Sequence, residues 1–330
     1  MKIARRLILF ISIAIILFSL IGTNNLPQIL NEPEVQKNFF NGLPGENNQI
    51  LVVKIDDTKA AHPQIGVEDA DVVYVEQVEG GLTRLAAIYT SKLPPLIGPI
   101  RSARISDLEL LAQFGRVGFA YSGAQSKMRP VIAAANLENL SAERNPPSIY
   151  GKDPDRPGPV DMILKPDLLL QRANSNPKIK IDSATVAVFP FGKAPQGETN
   201  TATANVKWPS AKYELRWDSN SSKWLIYFNG KPNLAASGEH LYADTAIIQI
   251  VSITPSIYGD KFGEITPFSK TTGTGKAVML RDGFSYQINW QRTAETDLTK
   301  WQTTSGETAN FKPGRTWIFL TDQPPVLSPN

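Results

Sequence analysis

Asp71-Val72-Val73-Tyr74-Val75-Glu76-Gln77-Val78-Glu79-Gly80-Gly81-Leu82-Thr83-Arg84 is a β-rich run, a paired-glycine turn and the start of a second run reaching Thr90. Two apolar runs joined by Gly80-Gly81 predict a hairpin of adjacent strands. On an alternating strand Tyr74, Glu76 and Val78 share one face, and Val73, Val75 and Gln77 share the other. A carboxylate at Glu76 in such surroundings requires a partner, because burying an unpaired charge is expensive. Arg84, Arg101 and Arg104 are the candidate partners.

Upstream, Gln49 to Asp56 reads as another buried strand ending in acids. Downstream, Gly98-Pro99-Ile100-Arg101-Ser102-Ala103-Arg104 places two guanidiniums and a hydroxyl on a rigid turn that feeds an amphipathic segment, Ile105 to Phe114. Ser106 is read as its cap, with Glu109 reaching back and Ile105 and Leu110 forming a hydrophobic staple. Arginines just before a helix N-terminus predict an anion site. A strand at Val117 to Tyr121, a helix from Pro130 to Ala135 and a helix opened by Pro166 complete a layered α/β or α+β unit.

These charges admit two readings. One is a buried or half-buried ion-pair network that fixes the loops. The other is a cleft in which Asp56, Glu76, Glu79, Arg84, Arg101, Ser102 and Arg104 hold an anionic or sugar-like ligand, with Arg156 of the polar loop Tyr150 to Asp161 adding to the basic wall. Glu76 and Glu79 also carry an alternative catalytic reading, as paired carboxylates for glycoside chemistry. Adjacent arginines depress carboxylate pKa values, which works against a general acid. Tyr121-Ser122-Gly123-Ala124 is expected to line the same cleft. It lacks the G-x-S-x-G elbow of a hydrolase, and neither His62 nor His240 stands in a partner motif.

Composition narrows the classes further. The 330 residues carry a dispersed formal charge of +3, without the basic stripe that nucleic acid requires. There is no cysteine, which excludes disulfides, thiolate catalysis and attachment through an N-terminal lipidated cysteine. Two scattered histidines argue against a transition-metal site, and Asp56 with Asp57 lacks an EF-hand-like loop, so neither metal nor cofactor is expected.

The N-terminus has Lys2, Arg5 and Arg6 before an apolar run from Leu7 to Ile21, shorter than the ~20 residues of a comfortable span. The charge asymmetry keeps this end in the cytoplasm and exports the rest. With no small-x-small cleavage site following, residues 1–23 read as an uncleaved signal anchor in a single-pass membrane protein, and 24–48 as a tether.

Past residue 184 the texture changes. Thr185 to Phe191, Lys212 to Trp217, Lys223 to Phe228, Thr245 to Ile253, Lys276 to Arg281, Phe284 to Trp290 and Arg315 to Leu320 are short strand-like runs. Turn signals such as Asn229-Gly230 and Asp282-Gly283 separate them and favour an antiparallel sandwich or barrel. The expected organisation is therefore an α/β domain at 49–183, a junction at 184–201, a β-rich domain at 202–325 and a tail at 326–330. Trp217, Trp224, Trp290, Trp301 and Trp317 are expected chiefly as core.

Val53-Lys54-Ile55-Asp56-Asp57, the run from Val73 to Arg84 and Gly98 to Arg104 together resemble the YerB-like lipoprotein family, a domain of unknown function with N- and C-terminal parts. Gly273 to Ala277, Arg281-Asp282-Gly283, Trp290 and Pro313 to Ile318 look like its C-terminal part. The resemblance covers roughly residues 45 to 325 and implies a bacterial, extracytoplasmic, membrane-attached protein of two domains, with no reaction assigned. This chain departs from the family in lacking cysteine, and in having Pro159-Val160-Asp161 where members tend to have Pro-His-Asn. Any chemistry of that histidine is absent here. Residues and resemblance together favour a non-enzymatic envelope protein that binds an anionic or saccharide envelope component or an envelope protein. The alternatives are a cell-wall glycan hydrolase or lyase and a structural scaffold.

Overall fold

The computed structural model describes residues 35–260 and 263–329. The signal anchor read at 1–23 lies outside them. No helix among the described residues is long and apolar enough to cross a membrane.

The first half of the chain supplies strands β1 (Leu51–Asp56), β2 (Val72–Gln77), β3 (Thr83–Tyr89), β4 (Val117–Ala120), β5 (Leu137–Asn139), β6 (Tyr150–Lys152) and β7 (Met162–Leu164). Helices at Ile105–Ala112, Arg129–Ala134 and Pro166–Asn174 are interleaved with them. There follow β8 (Thr199–Asn200), β9 (Thr203–Trp208), β10 (Ala211–Asp218), β11 (Lys223–Phe228), β12 (Lys231–Pro232) and β13 (Tyr242–Ala243). The chain closes with β14 (Thr245–Ile250), β15 (Ser252–Gly259), β16 (Ile265–Lys270), β17 (Gly273–Arg281), β18 (Phe284–Arg292), β19 (Lys300–Thr303), β20 (Thr316–Thr321) and β21 (Val326–Ser328).

The architecture is α+β and mostly strand. The two halves share one sheet, ordered β19-β18-β17-β14-β20-β2-β3-β1-β4-β5, with β8 added on β18. Strand β20 joins them, running parallel to β14 on one side and to β2 on the other, so that Thr316 pairs with both Thr245 and Val72. A parallel pair buried on both faces needs continuous apolar residues, and Thr-Trp-Ile-Phe-Leu-Thr supplies them. Its side chains alternate: Trp317 and Phe319 enter one core with Val73, Val75, Val53 and Ile55, while Ile318 and Leu320 enter the other with Val72, Tyr74 and Val52.

A second sheet, β12-β11-β10-β9-β21 with β13 on β11, contributes Val206, Leu215 and Trp224 to the first core. The C-terminal strands are divided between two sheets, which share the first core, and a separate β15–β16 ribbon. The segments 49–183 and 202–325 accordingly share both cores. Of the five tryptophans named from the sequence, Trp224, Trp290, Trp301 and Trp317 are buried and Trp217 is half-buried, as expected of core, and the sixth, Trp208, is buried as well. The turn readings also hold, since Asn229, Gly230, Asp282 and Gly283 all have positive φ.

Two local expectations need correction. Residues 185–191 form no strand; Val188 and Phe189 are buried, and Val188 N–H donates to the Phe39 carbonyl at 2.9 Å. The described part of the tether is packed instead of free. Phe40 is in the second core, Asn38 Nδ2 donates to Thr90 Oγ1 at 3.0 Å, and Asn41 Nδ2 donates to Asp71 Oδ1 at 2.7 Å.

Because β20 stands between strands of both halves, its loss is felt in both. Phe319→Ala should cost about 3–5 kcal/mol and lower the denaturant midpoint of one transition, seen alike by tryptophan fluorescence and far-UV circular dichroism. Two separate transitions would show that the halves are held independently.

Candidate functional site

Lys54, Asp56, Glu76 and Arg84 lie on one face of the sheet. In the antiparallel registers Asp56 and Glu76 both stand opposite Arg84, and Lys54 is two residues before Asp56 on β1. The apolar part of this face is the second core, and the charges mark the end where it gives way to solvent.

Glu76 does not meet the arginines. It is fully buried in contact with Lys54 Nζ, one step further inward, and Lys54 also donates to Asp107 Oδ1 at 2.7 Å. Burial lowers the Lys54 pKa to about 8, with Asp107 opposing the shift. With Glu76 inside the core, a Glu76/Glu79 carboxylate pair does not line the cleft.

Gly98 to Arg104 is stitched across the end of β1. Asp56 N–H donates to the Pro99 carbonyl at 2.8 Å, Arg101 N–H to the Lys54 carbonyl at 2.8 Å, and Ile100 N–H to the Met162 carbonyl at 2.7 Å. Glycine is needed at 98, where a Cβ would sit 3.0 Å from the Met162 carbonyl oxygen. From this frame Arg101 Nε reaches 2.8 Å from Asp56 Oδ2, while Asp56 Oδ1 caps Thr58 at 2.8 Å to its N–H. Arg104 Nε donates to Glu79 Oε2 at 2.8 Å. The Glu79–Gly81 turn, with positive φ at both glycines, holds Glu79 in place, and Thr266 donates its hydroxyl to Glu79 Oε1.

The helix cap differs from the sequence reading. Arg104 is the capping residue, and its backbone N–H donates to Asp107 Oδ2 at 2.6 Å. Ser106 instead accepts from Ser269 N–H at 3.0 Å, and Glu109 Oε1 accepts from Thr271 N–H at 2.6 Å. Both residues were recruited by the β15–β16 ribbon and the turn after it.

A cleft of about 1250 Å³ opens over these groups, lined by Asp56, Glu79, Arg84, Arg101, Ser102 and Arg104 among others. Seven of the eight sequence-read ligand residues are accounted for by this count and Glu76: six in the cleft, one beneath it. The eighth, Arg156, is elsewhere, clamping its loop through Asp153 Oδ2 at 2.9 Å and the Ala61 carbonyl at 2.8 Å. Ser122, Gly123 and Ala124 line the cleft as expected, and so do Pro159 and Asp161 of the Arg-Pro loop. Sequence reasoning missed the ribbon wall, Gly259, Asp260 and Glu264, which is far away along the chain. It also missed a buried network behind Thr83, in which Asp57 accepts from Thr83 Oγ1 at 2.5 Å and Tyr213 OH at 2.8 Å and meets His62 Nε2 at 3.1 Å.

Three guanidiniums face two carboxylates on this floor. Arg101 has Asp56 and Arg104 has Glu79, whereas Arg84 donates Nη1 to the Ser102 carbonyl at 2.9 Å and has no carboxylate within ion-pair distance among the described residues. Burial, and then the charges of Arg104 and Arg101, depress the Arg84 pKa to about 9 despite Glu79 and Asp56 nearby. Among the described residues no group of three or more His, Cys, Asp or Glu side chains is placed to hold a metal ion.

A model of the N-terminal domain of a protein of unknown function, DUF3048, matches residues 41–180, and that of its C-terminal domain matches residues 204–318. "Putative lipoprotein YerB" of Bacillus subtilis is 41% identical over 54 residues, and the match spans only 16% of this chain and 16% of that protein. The crystal structure of the YerB protein from Bacillus subtilis shares the fold, with a TM-score of 0.75 at 20% identity over 89% of this chain and 99% of that one.

The Glu79 pairing has a pH signature. Burial pushes its carboxyl up, but the Arg104 hydrogen bond and charge, with the Thr266 hydroxyl, outweigh it and hold the pKa below its ordinary 4.5. The unfolded chain therefore binds more protons just below pH 4.5, so this stability is complete above that pH and is lost on acidification through the folded value. Melting curves from pH 3 to 6 should show the wild type well above Glu79→Gln near pH 6, with the gap narrowing below pH 4.5. A constant gap would assign the difference to packing.

Proposed function

We propose a function from two premises: the chain belongs to the YerB-like DUF3048 family, and its cleft holds a buried guanidinium, Arg84, that no carboxylate among the described residues pairs. The protein works on the extracytoplasmic side of the bacterial envelope, held at the membrane by its N-terminal segment, and captures an anionic group of a saccharide-containing envelope component or protein partner. Family membership and the lipoprotein name carried by a relative support the location.

The observation that carries the binding reading is Arg84. A charge removed from water without a counter-ion costs free energy in the free protein, and other cations beside it add to that cost. An arriving carboxylate or phosphate relieves both, and a guanidinium offers it two parallel donors. Arg101 and Arg104 keep their own carboxylates and act as positive walls. Ser102 Oγ and Ser122 Oγ, 3.3 Å apart, supply hydroxyls beside them.

The glycan-hydrolase alternative loses its carboxylate pair, since Glu76 lies in the core and Glu79 is held ionised by Arg104. The scaffold alternative has no specific observation in its favour.

Titration calorimetry of the purified protein with soluble anionic wall fragments tests the reading. Arg84→Gln should weaken binding at least tenfold while shifting the melting temperature little or upward, because a desolvated charge is removed. Unchanged binding together with lost stability would make Arg84 a structural residue and end the proposal.

A further inference from the structure

Building on the anion-cleft reading, we infer that the ligand is a zwitterion of peptide type, with its carboxylate against Arg84 on the floor and an ammonium against Glu264 on the ribbon wall. Charge balance in the cleft points to this ligand. Asp56 and Glu79 hold Arg101 and Arg104. Glu143 pairs with Arg129 at 2.8 Å, and Asp161 pairs with Lys152 at 2.9 Å. Asp260 Oδ1 accepts the Glu264 N–H at 3.0 Å. Two ionised side chains are left over among the described residues lining the cleft, Arg84 and Glu264, and they are not paired with each other.

Arg84 is buried and Glu264 is exposed. Glu264 leads into β16, whose Thr266 donates to Glu79, so the wall is tied to the floor on which Arg84 stands. The Glu264 carboxylate lies over the Glu79–Gly81 turn, where a Cβ on Gly80 would approach its Oε2 to 3.3 Å. A simple anion such as phosphate would satisfy Arg84 and leave Glu264 unmet. A neutral glycan would leave both charges unmet. A molecule with an anion at one end and an ammonium at the other answers both.

Size and polarity agree with a peptide. The cleft exceeds the ~300–1,000 Å³ of pockets for drug-sized ligands, which leaves room for several amino-acid residues. Gln125 also lines the cleft, from the loop that follows Ser122, and its Oε1 is buried without a donor among the described residues, an acceptor suited to a peptide N–H. The serine hydroxyls at 102 and 122 can donate to peptide carbonyls.

The test uses purified full-length protein at pH 7 with four probes: alanyl-lysyl-alanine with free termini, the same peptide with both amines acetylated, its C-terminal amide, and inorganic phosphate. The free peptide should bind, and acetylation and amidation should each weaken it at least tenfold. Glu264→Gln should erase the acetylation penalty and leave the amidation penalty. Arg84→Gln should do the reverse, with Arg84→Lys retaining part of the carboxylate preference as the check that the fold survives. If acetylation costs nothing while amidation still does, or if phosphate binds more tightly than the peptide through Arg84, the zwitterion inference is overturned and the anion cleft stands. If no probe binds, the zwitterion inference is overturned, and the titration with anionic wall fragments decides the anion cleft separately.

Discussion

The contact on which this molecule depends is the buried cluster of Lys54, Glu76 and Asp107. Each of these charges taken alone would cost several kcal/mol to desolvate, and together they are tolerable because β1, β2 and the helix Ile105–Ala112 bring them within reach of one another. Asp107 is the hinge of the arrangement. One oxygen accepts from Lys54, and the other accepts the backbone N–H of Arg104. The residue that caps the helix is thereby fixed by a lysine in the sheet, and the Arg104 side chain is delivered to Glu79 at the cleft floor.

The same cluster explains why Arg84 is left over. It stands opposite Glu76 in register, where a cross-strand ion pair is the ordinary outcome. Lys54 takes that carboxylate first. Asp56, the other neighbour in register, is occupied by Arg101 from the turn stitched across the strand end. A charge surplus at the surface is thus produced by a pairing in the core.

This division decides how much was legible in the sequence. The hairpin around Gly80-Gly81, the alternation placing Glu76 with Tyr74, the arginines before a helix and the loop at Ser122 could be read because each is local, set by strand period, turn chemistry or a helix boundary. The partner of Glu76 could not, because Lys54 sits in a neighbouring buried strand and only the arginines stood out as cations. The cap was misread for a similar reason. Ser106 and Glu109 fit the capping pattern, but the ribbon 163 residues away claims Ser106, and Asp107 satisfies the helix start instead. Strands β10, β11, β14, β17, β18 and β20 are legible one by one and β9, β16 and β19 are not, and the assignment to sheets rests on β20 inserting between β14 and β2, a pairing that no nearby residue announces.

The cleft is therefore a joint product of distant segments, and this bears on whether its charges serve stability or function. A network evolved only to hold loops together would be expected to close its charges, as Arg116 does with Glu138 and Arg156 with Asp153. On the floor the closure stops one residue short, at a guanidinium whose pKa is pulled down by burial and by its own neighbours. Such a residue raises the free energy of the empty protein, since a well-packed apolar side chain at a buried ionic position is often neutral or stabilising. In the proposed reading an anion entering the cleft offsets that cost, because its charge and its two acceptor oxygens match what a guanidinium offers.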